Sequence, residues 1–102
     1  MTEATLQFDS LIEGKPVKVS LGDKDVCVAR VGSDIFAVAD ICTHSEASLS
    51  EGEMNGYKIE CWLHGAEFDL RTGEALTPPA TEALERFAVT RDGDSVTISE
   101  IN

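Results

Sequence analysis

The chain has 102 residues, 42% of them hydrophobic, which suits one compact domain with a modest core. Nineteen acidic residues against eight basic ones leave a net charge of −11, so nucleic acid is not an expected partner: a polyanion would be repelled and finds no basic patch. No apolar run approaches 18 residues, which excludes a membrane-spanning helix.

The first ten residues, MTEATLQFDS, lack the basic and apolar regions of a secretory signal, and the cytoplasm is the expected compartment. Short runs rich in β-branched residues then follow one another. PVKVSL (16–21) alternates Val17, Val19 and Leu21, DVCVARV spans 25–31 and DIFAVA spans 34–39. After a polar interval come YKIEC (57–61), AEFDL (66–70), ERFAVT (85–90) and SVTISEI (95–101). Gly22-Asp23, Gly32-Ser33, Thr72-Gly73 and Asp92-Gly93 separate several of these runs with residues that accept hairpin turns. No stretch keeps a helical apolar period for ten residues, and EASLSEGE (46–53) offers one helical turn at most. The pattern predicts an all-β sandwich or barrel of seven or eight short strands. Residues 41–56 and 71–84 are loop-like and rich in Ser, Gly, Glu and Pro, and they read as parts of a small insert on that framework.

The insert carries the chemistry. Cys42 and His44 form a C-x-H couple, and after sixteen residues Cys61 and His64 form C-x-x-H. The two couples use both histidines of the chain and two of its three cysteines. Thiolates and imidazoles that converge from two loops suit a metal centre. Three cysteines cannot all pair, so a disulfide scaffold is not expected. Cys27 lies inside a strand pattern and reads as a small buried hydrophobe. Two Cys and two His could hold tetrahedral zinc, or a [2Fe–2S] cluster in which two His replace two Cys on one iron. Spacing alone leaves both open.

The flanking residues add a resemblance. CTH together with CWLHG resembles the Rieske family, whose pattern is C-x-H, a spacer, then C-x-x-H-G. The stretch FDLRTGEALTPPATEAL (68–84) is similar to that family's strand, turn and proline-containing loop over the cluster. The resemblance covers roughly residues 30–100. It implies one Rieske domain over 1–102, with an antiparallel β-sandwich base and a two-loop cluster-binding subdomain at about 41–80. It also implies one [2Fe–2S] cluster, with Cys42 and Cys61 on one iron and His44 and His64 on the other.

Respiratory and photosynthetic Rieske subunits brace their loops with a disulfide, and here the corresponding positions are Ala47 and Leu63. Where those subunits place a Ser and a Tyr that donate to cluster or ligand sulfurs, this chain has Ala66 and Phe68. The resemblance therefore implies a potential at the low end of the Rieske range, near about −150 mV. No histidine remains for a second, mononuclear iron, so the chain is expected to carry electrons and not to be an enzyme. It is most similar to the small ferredoxins of multicomponent non-haem iron dioxygenases. The implied partners are an NAD(P)H-dependent flavoprotein ferredoxin reductase and a terminal Rieske non-haem iron oxygenase, and the implied state is a monomer. IECWLHGAEFDLRTG also resembles ferredoxins encoded beside iron–sulfur assembly genes, which implies the same cluster in an assembly-linked or sensing role. A zinc-stabilised β binding module is the third alternative.

Around the motif, Gly65 is expected to let the backbone pass close to the cluster, Leu63 to shield it, and Trp62 to pack in the core. Pro78 and Pro79 are expected to stiffen the covering loop. Glu46, Glu51, Glu53 and Glu67 are candidates for an acidic docking rim.

Overall fold

A computed structural model describes residues 3–41, 48–62, 66–76 and 83–100 of the chain. Two-residue hairpins set much of its architecture. Leu21 pairs with Lys24 across Gly22-Asp23, and Val31 pairs with Asp34 across Gly32-Ser33. Gly22 and Gly32 have φ of 65° and 62°, and no described non-glycine residue has positive φ. Positive φ at the first turn residue alone is the signature of a type II′ hairpin, where glycine avoids the Cβ clash.

These turns link strands β1 (Glu3–Gln7), β2 (Val17–Leu21), β3 (Lys24–Val31), β4 (Asp34–Ala39), β5 (Glu53–Asn55), β6 (Lys58–Glu60), β7 (Glu67–Asp69), β8 (Phe87–Asp92) and β9 (Ser95–Glu100). They form three antiparallel sheets, in the orders β1-β9-β8, β2-β3-β4 and β5-β6-β7. The class is all-β, as the sequence predicts. Single 3-10 turns occupy Phe8–Ser10 and Leu49–Glu51, the second inside the stretch expected to allow one helical turn. Among the described residues no helix is long and apolar enough to cross a membrane.

Three expectations need correction. β1 was not expected: EATLQ has only Ala4 and Leu6 to bury, and it is a strand because it pairs along its length with β9. β5 was not expected either, since three residues with one apolar side chain, Met54, give no readable alternation. The strands therefore number nine among the described residues. The turn before β9 is also displaced by one residue, because Asp92 pairs with Ser95 and leaves Gly93-Asp94 as the turn.

The first two sheets face each other as the β-sandwich base. They are joined at one edge, where Val38 bridges to Arg86 and the Ala39 N–H donates to the Glu85 carbonyl at 2.8 Å. Strand β3 is buried on both faces. Its alternation sends Val26 and Val28 into a core with Phe8, Leu21, Phe87, Val96 and Ile98. The same alternation sends Cys27 and Ala29 into a second core with Leu49, Ile59, Cys61, Phe68 and Leu70. Each buried Val, Leu, Ile or Phe contributes about 1.5–3 kcal/mol relative to exposure, so both faces of β3 are anchored. The second core fastens the β5-β6-β7 sheet to the framework.

Candidate metal centre

Three loops leave this small third sheet and the end of β4, and each is closed at its stem by backbone pairing. Ile41 bridges to Ser48, and the Leu49 N–H donates to the Asp40 carbonyl at 2.6 Å, so Asp40-Ile41 and Ser48-Leu49 lie side by side. The Cys61 N–H donates to the Ala66 carbonyl at 2.7 Å, which closes residues 62–65 at the end of the β6–β7 hairpin. Phe68 bridges to Ala75, and the Leu84 N–H donates to the Gly73 carbonyl at 2.7 Å, which closes the proline-containing segment.

Of the expected ligands, Cys61 is described: it is fully buried in the second core. Cys42, His44 and His64 lie outside the described residues, as do Glu46, Ala47, Leu63, Gly65, Pro78 and Pro79. Their stems are nevertheless fixed. Among the described residues no group of three His, Cys, Asp or Glu is placed to hold a metal ion.

Space at the stems is tight. A Cβ on Gly52 would lie 1.9 Å from the Glu60 carbonyl oxygen. Only glycine lets the turn after Leu49–Glu51 lie against β6. Asp40 is the buried charged residue of this region. Its carboxylate accepts from the Ser48 hydroxyl and, at 2.9 Å, from the Ser50 N–H. Asp40, Ser48 and Ser50 belong to no motif of the sequence. The available signal was an acidic residue at the end of an apolar strand, where only a buried partner set would justify it.

Cys27 behaves as expected, a buried thiol in no disulfide. Burial pushes its pKa far above the usual thiol range, and the charge of Asp40 pushes the same way. Trp62 does not behave as expected. It is 55% exposed, because Cys61 turns into the core and its neighbour emerges on the other side. Ile41 at 44% and Leu76 at 37% are also exposed, so each loop stem carries one exposed apolar side chain.

Of the expected acidic rim, Glu51 and Glu53 are exposed and Glu67 is half-buried. The register adds Glu60. Glu53 stands opposite Glu60, which stands opposite Glu67, so three carboxylates run in a row across the third sheet. Ala66 and Phe68 are both fully buried in the core that holds Cys61. Neither side chain can donate a hydrogen bond.

The model for the Rieske [2Fe-2S] domain matches residues 3–88. The chain belongs to the Rieske family. Among its relatives, the ferredoxin component of biphenyl 2,3-dioxygenase from Rhodococcus jostii (strain RHA1) is 38% identical over 88 residues, spanning 86% of this chain and 82% of that protein. The ferredoxin of carbazole 1,9a-dioxygenase from Nocardioides aromaticivorans IC177 superposes with a TM-score of 0.94 at 29% identity, over 99% of this chain and 100% of that one. A ferredoxin in complex with the oxygenase of carbazole 1,9a-dioxygenase superposes at 0.87 with 34% identity, over 93% and 92% of the two chains.

This Rieske protein is thus a ferredoxin component, an electron carrier and not the catalytic oxygenase. It takes one [2Fe–2S] cluster with a two-Cys, two-His ligand set, which closes the zinc alternative. The donor chemistry fits such a cluster. The sequence supplies two C/H couples, and the one expected ligand whose surroundings are described, Cys61, sits at a backbone-closed stem away from water.

Proposed function

We propose that Cys42, His44, Cys61 and His64 hold the cluster, with the two cysteines on one iron and the two histidines on the other. Residues 1–102 form one domain whose cluster-binding part is about 41–80. As a cytoplasmic monomer it takes one electron from an NAD(P)H-dependent flavoprotein ferredoxin reductase. It passes that electron to the terminal Rieske non-haem iron oxygenase of an aromatic-ring dioxygenase system.

The observation that carries this reading is the combination at the loop stems. Cys61 is buried at one stem, while Ile41, Trp62 and Leu76 leave apolar surface exposed at all three. Exposed apolar side chains at the loop stems suit a docking face, and a −11 surface suits steering toward a basic one. The likeness to a ferredoxin in complex with its oxygenase supports the second partner. When bound, the cluster supplies a one-electron redox site. The chain's own residues shelter Cys61, close the loops and present the surrounding surface.

EPR of the dithionite-reduced protein tests the ligand set. The expected average g is the low value of mixed His/Cys ligation, and a value near that of all-cysteine plant-type ferredoxins overturns it. Stopped-flow mixing of the reduced protein with an oxidised terminal oxygenase tests the role. Oxidation of the ferredoxin with matching reduction of the oxygenase is expected, and no transfer to any aromatic-ring oxygenase overturns the aromatic assignment.

A further inference from the structure

Asp40 is the one fully buried charged side chain among the described residues. It follows β4 and precedes Cys42 by two positions, so the chain allows at most about 7 Å between their Cα atoms. Every polar group it has is used. Its N–H donates to the Asp25 carbonyl at 3.0 Å, and its carbonyl accepts from Leu49. Its carboxylate accepts from the Ser48 hydroxyl and the Ser50 N–H, and the Ser48 and Ser50 hydroxyl oxygens lie 2.9 Å apart. One side chain therefore ties the outgoing stem of the 42–47 loop to the returning one.

The clamp does not need a charge. An asparagine could accept from Ser50 through its carbonyl and donate to the Ser48 oxygen, because a hydroxyl serves either way. A buried carboxylate is costly, and no described Lys or Arg is ion-paired with this one. Its field is not confined to the clamp. Burial is the main reason the Cys27 thiol is raised, and Asp40 is the charge that adds to it. Cys27 shares its core with Cys61. A charge held in such an interior is little screened by salt.

We propose that Asp40 is a positioning residue for the Cys42–His44 loop whose buried negative charge also holds the cluster's reduction potential down. The inference rests on the ligand assignment above. Reduction adds one electron to the centre, and a fixed carboxylate nearby disfavours that added charge. In an interior of effective dielectric about 20, one such fixed charge is expected to change the reduction equilibrium by roughly tenfold.

The test uses the full chain with its cluster, by protein-film voltammetry at one fixed pH, with visible and EPR spectra of each variant. Asp40→Asn keeps the clamp and removes the charge. Its spectra should remain those of the parent, and its potential should rise by roughly tenfold in the equilibrium constant, about 59 mV for one electron. An unshifted or lowered potential with the cluster intact overturns the proposal. Ser48→Ala keeps the charge and removes a hydroxyl dipole that offsets it. Its potential should fall, and its cluster should be lost faster to a chelator. If Asp40→Asn fails to load, Ser48→Ala decides alone, and an unshifted or raised potential there overturns the proposal. Failure of the parent protein to show the mixed-ligand EPR signal is a separate result, which strikes the ligand assignment and not Asp40.

Discussion

Strands β2, β3 and β4 run for five, eight and six residues, whereas β5, β6 and β7 are three residues each. The first group pairs in long ladders and buries apolar side chains on both faces of β3. The second group is held by point fastenings: three loop stems, the carboxylate of Asp40 and the close approach at Gly52. A framework of the first kind is stable without a ligand. A site of the second kind has more to gain in stability from the group it binds. The molecule thus separates a folding framework from a working end, with Cys27 and Cys61 in the core between them.

The two cysteines break that comparison open most sharply. Cys61→Ala should abolish the cluster and its visible absorption, while amide exchange shows β2, β3 and β4 still protected and β5, β6 and β7 not. Cys27→Ala should leave the iron spectrum unchanged and cost about 1–2 kcal/mol in denaturant unfolding, the scale of a small core deletion. Loss of the iron signal in a folded Cys27→Ala protein would sink the division of roles between them.

Glycine substitutions give the next largest contrast. Gly52→Ala places its Cβ 1.9 Å from a backbone oxygen of β6, so one of the two segments must move. A loss of about 2–4 kcal/mol is expected, with accelerated cluster release. Gly32→Ala meets nothing within 4 Å, and its only cost is the φ of 62°. That left-handed conformation costs about 1–2 kcal/mol and should leave cluster release untouched. Equal release rates in the two variants would contradict the idea that Gly52 serves the site end.

Phe68 lies in the shared core at 0% exposure and faces no polar requirement of its own. Phe68→Tyr introduces a donor where other Rieske proteins have one. A hydrogen bond to a charged group is worth about 1.5–3 kcal/mol, and the difference between redox states is about 1–2 kcal/mol. The potential should rise by about 40–90 mV. A well-folded variant with an unshifted potential would transfer the control of potential from missing donors to fixed charge, Asp40 foremost.

The framework was legible because its signal is local. DIFAVA occupies the same six residues as β4, and Gly22-Asp23 and Gly32-Ser33 are the turns the residue types indicate. The C-x-H and C-x-x-H couples were legible for the same reason, since spacing along the chain carries them. What escaped depends on partners distant in sequence. β1 exists through β9, and Asp40 is tolerable only because Ser48 and Ser50 return to it. Trp62 misled because a large aromatic beside a buried cysteine looks like core, whereas alternation at the stem puts it outside. Glu60 was passed over because nothing in the sequence sets the register of three-residue strands.

That register supports the smallest and cleanest test of the contrast. Glu60 is exposed and stands directly between Glu53 and Glu67, so it meets a like charge on each side. Opposed like charges on neighbouring strands destabilise a pair by a few tenths of a kcal/mol to about 1 kcal/mol. Glu60→Gln removes both repulsions while keeping shape and polarity, and it should stabilise the protein by about 0.2–1 kcal/mol in low salt. The gain should shrink as ionic strength rises, since exposed charges are screened over about 8–10 Å. At the equivalent place in the framework, Thr90 stands opposite Thr97 with no charge to relieve, so Thr90→Val should show no salt-dependent difference. Chemical denaturation by urea at two salt concentrations separates the cases. A Glu60→Gln protein no more stable than the parent in low salt would mean that Lys58, on the same strand and opposite Asp69, already neutralises the row, and that the site end carries no electrostatic strain.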